Sequence, residues 1–166
     1  NAVKVLRAIG VEAELSRLSS EPLNYVSLAW DNARLRYREP MKGPYAAQFG
    51  APYLMVHRSD LHRLLSEQIP EHCLRLAMHC VGVDSINGVG VARFSDGTQI
   101  EADIIVGADG INSVVRQCLF GVQPVRFTQQ MAWRCIVPIE RVPIHVGIDR
   151  NEYVGWIGPE GHVICY

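Results

Sequence analysis

The stretch from residue 102 to residue 116 constrains the fold of this chain more than any other. Ile104, Ile105 and Val106 form a β-branched run, which predicts a strand buried on both faces of a parallel sheet. Gly107 and Gly110 follow this run and allow the backbone to turn sharply at the carboxyl end of the strand. Ligands of open α/β sheets bind at such strand ends. The stretch therefore predicts a strand, a turn and a helix that together build a ligand site.

The polar side chains of this turn are the first candidate site residues. Asn112 or Ser113 is predicted to cap the following helix, whose free N–H groups favour an anion such as pyrophosphate. Ser113 and Arg116 are three residues apart, so they share a helix face and can act on one ligand. The alternative is an ordinary turn with a surface aspartate. The joint presence of Asp103, Asp109, both glycines, Ser113 and Arg116 favours the ligand site.

A second candidate segment lies upstream, where a short apolar strand leads into a helix. Ser59 is predicted to cap this helix, and Leu61, Leu64 and Leu65 form its apolar stripe. This arrangement places Arg58 at the junction of strand and helix. Taken alone, an arginine in such a place is more often a solvated or ion-paired side chain.

These two segments, taken together, resemble the class A FAD-dependent aromatic monooxygenases, the salicylate hydroxylase and hydroxybenzoate hydroxylase family. Tyr53–Leu65 is similar to the family's strand-Arg-x-x-Leu-x-x-x-Leu segment, and Ala102–Arg116 is similar to its Asp-Gly motif. Residues 1–10 resemble a helix of the family, with Gly10 as its C-terminal stop, and residues 133–134 and 153–166 resemble strands of its substrate domain.

The resemblance implies a mixed α/β fold. We expect part of a Rossmann-like FAD-binding domain with a β-meander over residues 1–120. Residues 121–166 are expected to begin a mostly antiparallel β-sheet substrate domain. The family's G-x-G-x-x-G and Asp-Ala-Ala-His-x-x-x-Pro motifs are missing from the sequence, and it has no initiator Met. We therefore expect an internal fragment that is inactive and binds FAD weakly or not at all on its own.

Local patterns predict most of the secondary structure. One or two short helices are expected over residues 1–18, and a Pro- and Gly-rich loop over residues 40–52. Asn87-Gly88 and Asp96-Gly97 are strong hairpin signals. Strands are expected at 25–30, 35–37, 74–86, 89–94 and 98–106, and the chain is expected to be all strand after residue 120, with Trp133-Arg134 opening a strand.

The resemblance also implies a reaction and a set of cofactor-binding residues. NADH or NADPH would reduce FAD, and O₂ would react through a flavin hydroperoxide to hydroxylate a small aromatic such as salicylate or a hydroxybenzoate. Arg58 would steady the ribityl or phosphate portion of the flavin. The cofactor assembly would be held by Asp109, Gly110, Ser113 and Arg116, and the backbone near Cys80 or Val81 would contact adenine.

His162 and Tyr166 are the candidate catalytic pair. A strand that starts after the turn at Gly158–Gly161 places both side chains on one face, because side chains alternate with period two. Relatives that act on hydroxylated aromatics carry a similar His-x-x-x-Tyr strand facing the substrate. The alternative, a His and a Tyr that serve only the packing of the sheet, is at least as common.

Two other functions remain open at this stage. One is a flavoprotein of the same fold with another reaction, such as 6-hydroxynicotinate hydroxylation, epoxidation or halogenation. The other is a non-enzymatic module that has lost FAD.

Composition excludes several further classes. The net charge is −1 and the basic residues are scattered, which gives no electrostatic basis for nucleic-acid binding. No apolar run approaches the roughly 18 residues of a membrane span. The five cysteines lack a C-x-x-C pair and are expected to be free thiols of a cytoplasmic protein. The spacing of His72-Cys73 and His79-Cys80 matches no common zinc pattern, so no metal site is predicted.

Overall fold

The computed structural model describes residues 2–166 and contains helices and several sheets. The helices are α1 Ala2–Ala8, α2 Glu12–Leu18, α3 Pro44–Phe49, α4 Arg58–Ser66 and α5 Val114–Phe120. The strands are β1 Ser19–Ser20, β2 Asn24–Ala29, β3 Leu35–Pro40, β4 Met55–Val56, β5 Cys80–Ile86, β6 Val89–Phe94, β7 Gln99–Ala102, β8 Glu152–Ile157 and β9 His162–Cys165. Within residues 2–166 no helix has the length and apolarity needed to cross a bilayer. The predicted mixed α/β fold is confirmed.

The described residues form two compact units, and each has its own packing. The first contains residues 2–70 and 135–166, and the second contains residues 71–134. The predicted domains, 1–120 and 121–166, are defined by function and stay a prediction.

The first unit has a helical core formed by α1, α2 and α4. Its buried members are Val3, Val11, Leu15, Ala51 and Leu64. Leu61 packs against this cluster, which confirms the apolar stripe predicted for α4. Helix α1 ends as expected, because Gly10 adopts a φ of +82°, a conformation that glycine takes without steric cost.

A four-stranded sheet completes the first unit, in the order β3-β2-β8-β9. Strand β2 runs antiparallel to β3 and parallel to β8, and β9 runs antiparallel to β8. The sheet is therefore mostly antiparallel, as predicted. Two of its strands come from residues 24–40 and two from residues 152–165, so distant parts of the sequence build it together.

The second unit contains an antiparallel meander, β5-β6-β7. At its first turn Asn87 and Gly88 have φ values of +50° and +84°, as the predicted Asn-Gly hairpin requires. At the second turn the Phe94 N–H donates to the Thr98 carbonyl over 2.9 Å. Helix α5 packs against β5. The predicted meander and both of its hairpins are confirmed.

Two predicted strands are shorter than expected. The strand predicted at 74–86 begins only at Cys80, after a short 3-10 helix at Glu71–Cys73. The strand predicted at 98–106 ends at Ala102, and Ile104 and Val106 are 79% and 81% exposed. A buried parallel strand needs a neighbour on each side. No strand within residues 2–166 pairs with residues 104–106, so this prediction is wrong for the chain as it stands.

Two other predictions of secondary structure are wrong. The expected loop at 40–52 contains α3, which Pro44 starts, because its fixed φ suits a first helical turn. The chain after residue 120 is not all strand. Residues 121–138 contain neither helix nor strand, Trp133 is 90% exposed, and Pro138 and Pro143 each precede a short 3-10 helix. No strand of the described residues pairs with residues 121–138, so the apolar residues there do not form a sheet.

The helical core predicts a measurable difference between two leucines of the first unit. Leu15 is 1% exposed, so Leu15→Ala should lower the free energy of unfolding by about 2–5 kcal/mol through lost packing and a cavity. Leu23 is 45% exposed and serves as the control, since Leu23→Ala should cost less. Urea unfolding of the full-length protein that contains this chain measures both. Equal losses would contradict the assigned core.

Candidate functional site

The turn before α5 is organised by the carboxylate of Asp109. Its Oδ1 accepts a hydrogen bond from the Ser113 hydroxyl over 2.5 Å, and its Oδ2 accepts from the N–H groups of Val114 and Val115 over 2.7 and 3.2 Å. The Ser113 hydroxyl oxygen accepts in turn from the Arg116 N–H over 3.0 Å. Ser113 is therefore the helix cap, which confirms one of the two predicted candidates.

This arrangement changes the expected role of the helix terminus. Three N–H groups at the start of α5, those of Val114, Val115 and Arg116, already donate to oxygens of Asp109 and Ser113. The chain's own carboxylate thus occupies the place where a ligand anion was expected. The prediction that these N–H groups are free for a pyrophosphate is wrong, and a ligand must find other donors at this turn.

Hydrogen bonds also shift the acidity of Asp109. The Ser113 hydroxyl makes the largest contribution and lowers the pKa of the Asp109 carboxyl. The N–H groups of Val115 and Val114 act in the same direction, while desolvation opposes them. Asp109 is therefore ionised at neutral pH, and its charge holds the turn together.

Two glycines and an arginine complete this turn. Gly110 has a φ of +79°, which favours glycine. A Cβ on Gly107 would lie 2.7 Å from the Val115 Cβ. Any side chain at position 107 would therefore collide with α5, and only glycine allows so close an approach. The Arg116 guanidinium donates to the Ile111 carbonyl over 2.6 Å and has further N–H groups to offer.

Cys80 and Val81 lie at an irregularity of β5, in the same unit. The β5–β6 register passes from Cys80↔Phe94 directly to Gly82↔Arg93. Val81 therefore has no partner on β6, as in a β-bulge. Its side chain is 51% exposed. The backbone at the predicted adenine contact is thus the irregular, accessible part of the strand.

Arg58 is the first residue of α4 and follows the end of β4 by two residues, which confirms its predicted position at the junction of strand and helix. His57 occupies the N-cap position with extended dihedral angles, and the Ser59 hydroxyl bonds to His57 Nδ1 over 2.6 Å. The prediction that Ser59 caps this helix is wrong, because the helix begins one residue before it.

An open depression of about 590 Å³ lies around Arg58. It is lined by His57, Arg58, Ser59, His62, Arg63 and Ser66. Arg63 pairs with Asp60 and Glu67 over 3.8 and 3.3 Å, whereas no carboxylate in the described part of the chain lies within ion-pair distance of Arg58. Sequence reasoning missed the two histidines, although His62 follows Arg58 by one helical turn. The depression presents one guanidinium whose charge is not neutralised.

His162 and Tyr166 lie where the predicted strand places them. Strand β9 begins at His162, which pairs with Ile157, and Ile164 pairs with Gly155. Tyr166 follows the strand directly and is 69% exposed. Alternation along the strand therefore directs both side chains to the same face of the sheet. Their contact with a substrate stays a prediction.

An aromatic network that includes Tyr166, with Tyr153 in a central place, was not predicted from the sequence. Ring contacts with centroid separations of 5.2–6.2 Å link all six tyrosines of the chain, with Phe49 at one end. The only sequence signal is a single tyrosine at the second position of both β2 and β8, and it does not show which strands pair.

Residues 2–166 contain no group of three His, Cys, Asp or Glu side chains arranged to hold a metal ion. The five cysteines form no disulfide. The geometry of the described residues thus centres on the Asp109 turn, the Arg58 depression and the His162 face.

Comparisons with known proteins identify relatives of the chain. No protein-family model matches it. It is 34% identical over its whole length to 6-hydroxynicotinate 3-monooxygenase of Bordetella bronchiseptica, of which it covers 43%. Its fold matches a salicylate hydroxylase substrate complex with a TM-score of 0.80 at 21% identity, covering 99% of this chain and 43% of that one. It also matches a variant of HpxO from Klebsiella pneumoniae complexed with FAD, with a TM-score of 0.77 at 15% identity, covering 98% and 42%.

The structural matches show a shared fold, and the sequence match shows that the chain and its relative are homologous. The chain belongs to the family of FAD-dependent aromatic monooxygenases, as its two central motifs indicated. It spans less than half the length of the curated relatives it matches.

The Asp109 turn predicts a pH-dependent contribution to stability. The carboxyl pKa is lowered on folding, so its contribution is complete above the unfolded pKa of about 3.9 and is lost as pH falls through the lowered value. In the flavin-free, full-length protein, Asp109→Asn should lower Tm equally at pH 7 and pH 5.5, and by less near pH 3.5. Asp103→Asn, an exposed neighbour, is the control. A deficit that grows on acidification would contradict the assigned hydrogen bonds.

Proposed function

We propose that the protein containing this chain is an FAD-dependent monooxygenase that uses NADH or NADPH to hydroxylate a small aromatic compound. The observation that carries the proposal is the complete Asp109-Gly110 turn, with Ser113 as its cap, in a chain 34% identical throughout to a hydroxynicotinate monooxygenase. Bound FAD would accept electrons from the nicotinamide donor and activate O₂. The protein's own residues would bind FAD, orient the ring and exclude water.

The substrate class is a hydroxylated aromatic acid. Salicylate or a hydroxybenzoate is the first candidate. The second is 6-hydroxynicotinate, because the Bordetella relative is a 6-hydroxynicotinate 3-monooxygenase. A free carboxylate and a ring hydroxyl are common to all of these compounds.

The residues of the chain suit the parts of FAD differently. Arg58 is exposed and has no ion pair within the described residues, so it would bind the phosphate or ribityl portion. Asp109 and Ser113 have their oxygens engaged within the turn, so they would hold Gly110 and the remaining N–H groups of Arg116 in place for the cofactor. The irregular backbone at Cys80 and Val81, where Val81 has no partner on β6, would contact adenine.

His162 and Tyr166 would act on the substrate. An imidazole and a phenol on one sheet face can hydrogen-bond a ring hydroxyl, or hold its proton while the ring becomes more electron-rich. The ring would lie against this face, and O₂ is the second substrate. The five free cysteines favour a reducing compartment, so the cytoplasm is the proposed location.

The proposal is tested by the visible absorbance of the purified full-length protein, followed by NADH and NADPH oxidation with salicylate, hydroxybenzoates and 6-hydroxynicotinate. Bound flavin and a hydroxylated product are expected. A flavin-containing protein whose oxidation of NADH or NADPH is stimulated by none of these compounds would favour another reaction on the same fold. A colourless protein that takes up no FAD would favour the non-enzymatic module.

The unneutralised charge of Arg58 predicts its effect on cofactor affinity. Arg58→Ala should raise the Kd for FAD about tenfold to a hundredfold, the loss expected for a charge-assisted hydrogen bond. Arg63→Ala is the matched control, because Arg63 lines the same depression but is paired with Asp60 and Glu67. Flavin fluorescence titration of the apoprotein measures both. Equal affinities for the two variants would overturn the assignment of Arg58.

A further inference from the structure

Three tyrosines lie in one row across the four-stranded sheet. Tyr25 on β2 is the register partner of Tyr153 on β8, and their ring centroids are 5.2 Å apart. Val154 pairs with Cys165, so the next position of the antiparallel pair sets Tyr166 opposite Tyr153. The Tyr153 and Tyr166 rings are 5.6 Å apart in an edge-to-face arrangement. We call Tyr25, Tyr153 and Tyr166 the tyrosine row.

The first ring of the row lies in space that a glycine leaves open. A Cβ on Gly155 would lie 3.1 Å from the Tyr25 hydroxyl oxygen and 3.0 Å from Ile164 Cδ1. Tyr25 therefore extends over the space that a side chain at position 155 would fill. Burial is the main reason that the pKa of Tyr25 is raised, so its phenol stays uncharged around neutral pH.

The central ring is enclosed on several sides. Tyr153 contacts Tyr25 at one side and Tyr53 at another, the latter with a centroid separation of 6.2 Å. Burial raises the pKa of Tyr153, and the nearby phenols of Tyr53, Tyr25 and Tyr166 raise it further. Tyr153 is thus a half-buried, uncharged ring with three aromatic neighbours.

The last ring has much less support. Tyr166 is 69% exposed, and within residues 2–166 its only aromatic contact is with Tyr153. An exposed tyrosine samples several rotamers unless a neighbour restricts it. The edge-to-face contact with Tyr153 is the restriction that the described residues provide.

We propose that Tyr153 is a positioning residue for Tyr166, holding its phenol on the same face as His162 where the aromatic substrate binds. The inference rests on the proposed function, since it assumes that Tyr166 contacts the substrate. Tyr153 acts through its ring. Tyr25 of β2, whose hydroxyl lies over Gly155, contacts the Tyr153 ring and restricts it in turn.

The kinetic test uses the full-length holoprotein and the aromatic substrate that it hydroxylates. Tyr153→Leu should raise KM about threefold to tenfold, the range expected for one lost aromatic pair, with a smaller change in kcat. Tyr153→Phe keeps the ring and should restore KM. Tyr37→Leu is the control, because Tyr37 contacts Tyr25 but not Tyr166.

A second background separates positioning from general packing. In a Tyr166→Leu protein, Tyr153→Leu should leave KM unchanged, because the phenol that it positions is already absent. Equal effects of Tyr153→Leu in both backgrounds would overturn the proposal. So would an unchanged KM for Tyr166→Leu alone.

A readout independent of activity distinguishes this inference from the proposed function. With 3-fluorotyrosine placed at position 166, Tyr153→Leu should narrow the ¹⁹F resonance and move it towards its value in unfolded protein, while Tyr153→Phe and Tyr37→Leu should not. An unchanged resonance would overturn the positioning role. The expected change in a protein without aromatic hydroxylation would refute the proposed function and leave the placement of Tyr166 by Tyr153 intact.

Discussion

The parallel pairing of β2 with β8 is the constraint on which the candidate substrate face depends. It joins residues 24–29 to residues 152–157 over six consecutive register pairs. The Asn24 side chain donates to Glu152, and Arg38 of β3 forms an ion pair with the same carboxylate over 3.2 Å, so polar contacts support the start of this pairing. A shift of one residue would turn Tyr153 to the opposite face of the sheet. The position of the candidate catalytic pair is therefore set by residues far from it in the sequence.

The Asp109 turn provides hydrogen-bond acceptors for N–H groups at the start of α5, which have no partner inside the helix. The carboxylate and the Ser113 hydroxyl satisfy three of them within the chain. The turn is thus rigid before any ligand arrives, and Gly107 allows it to approach α5 closely. Preorganisation of this kind lowers the ordering cost of binding. Under the proposed function, Asp109 would support the cofactor site through the backbone that it holds.

Local chemistry could be predicted from the sequence, and long-range pairing could not. Asn87-Gly88 requires positive φ values that only a few residue types adopt, so the hairpin was predictable from two residues. Ile104 and Val106 show the limit, because their burial depends on neighbouring strands and not on their own β-branched side chains. The Ser113 cap in the Asp109 turn was predictable because the residues that make it are adjacent in sequence. The hydrogen bonds that Asp109 accepts from N–H groups at the start of α5 were not, since the pattern fits a free helix terminus equally well.

The two surfaces of the first unit differ in the kind of ligand that they can bind. The depression at Arg58 carries a guanidinium without a neutralising carboxylate in the described residues, which suits phosphate oxygens. The tyrosine row offers apolar ring faces, and burial raises the pKa of the Tyr25 and Tyr153 phenols, which suits a planar aromatic ring with a hydroxyl. The side chains that line the Arg58 depression are all polar or charged, whereas those of the tyrosine row are aromatic. The separation of charge from aromatic surface therefore supports the proposal that Arg58 binds the phosphate or ribityl portion of FAD and that the substrate ring lies on the face of the tyrosine row.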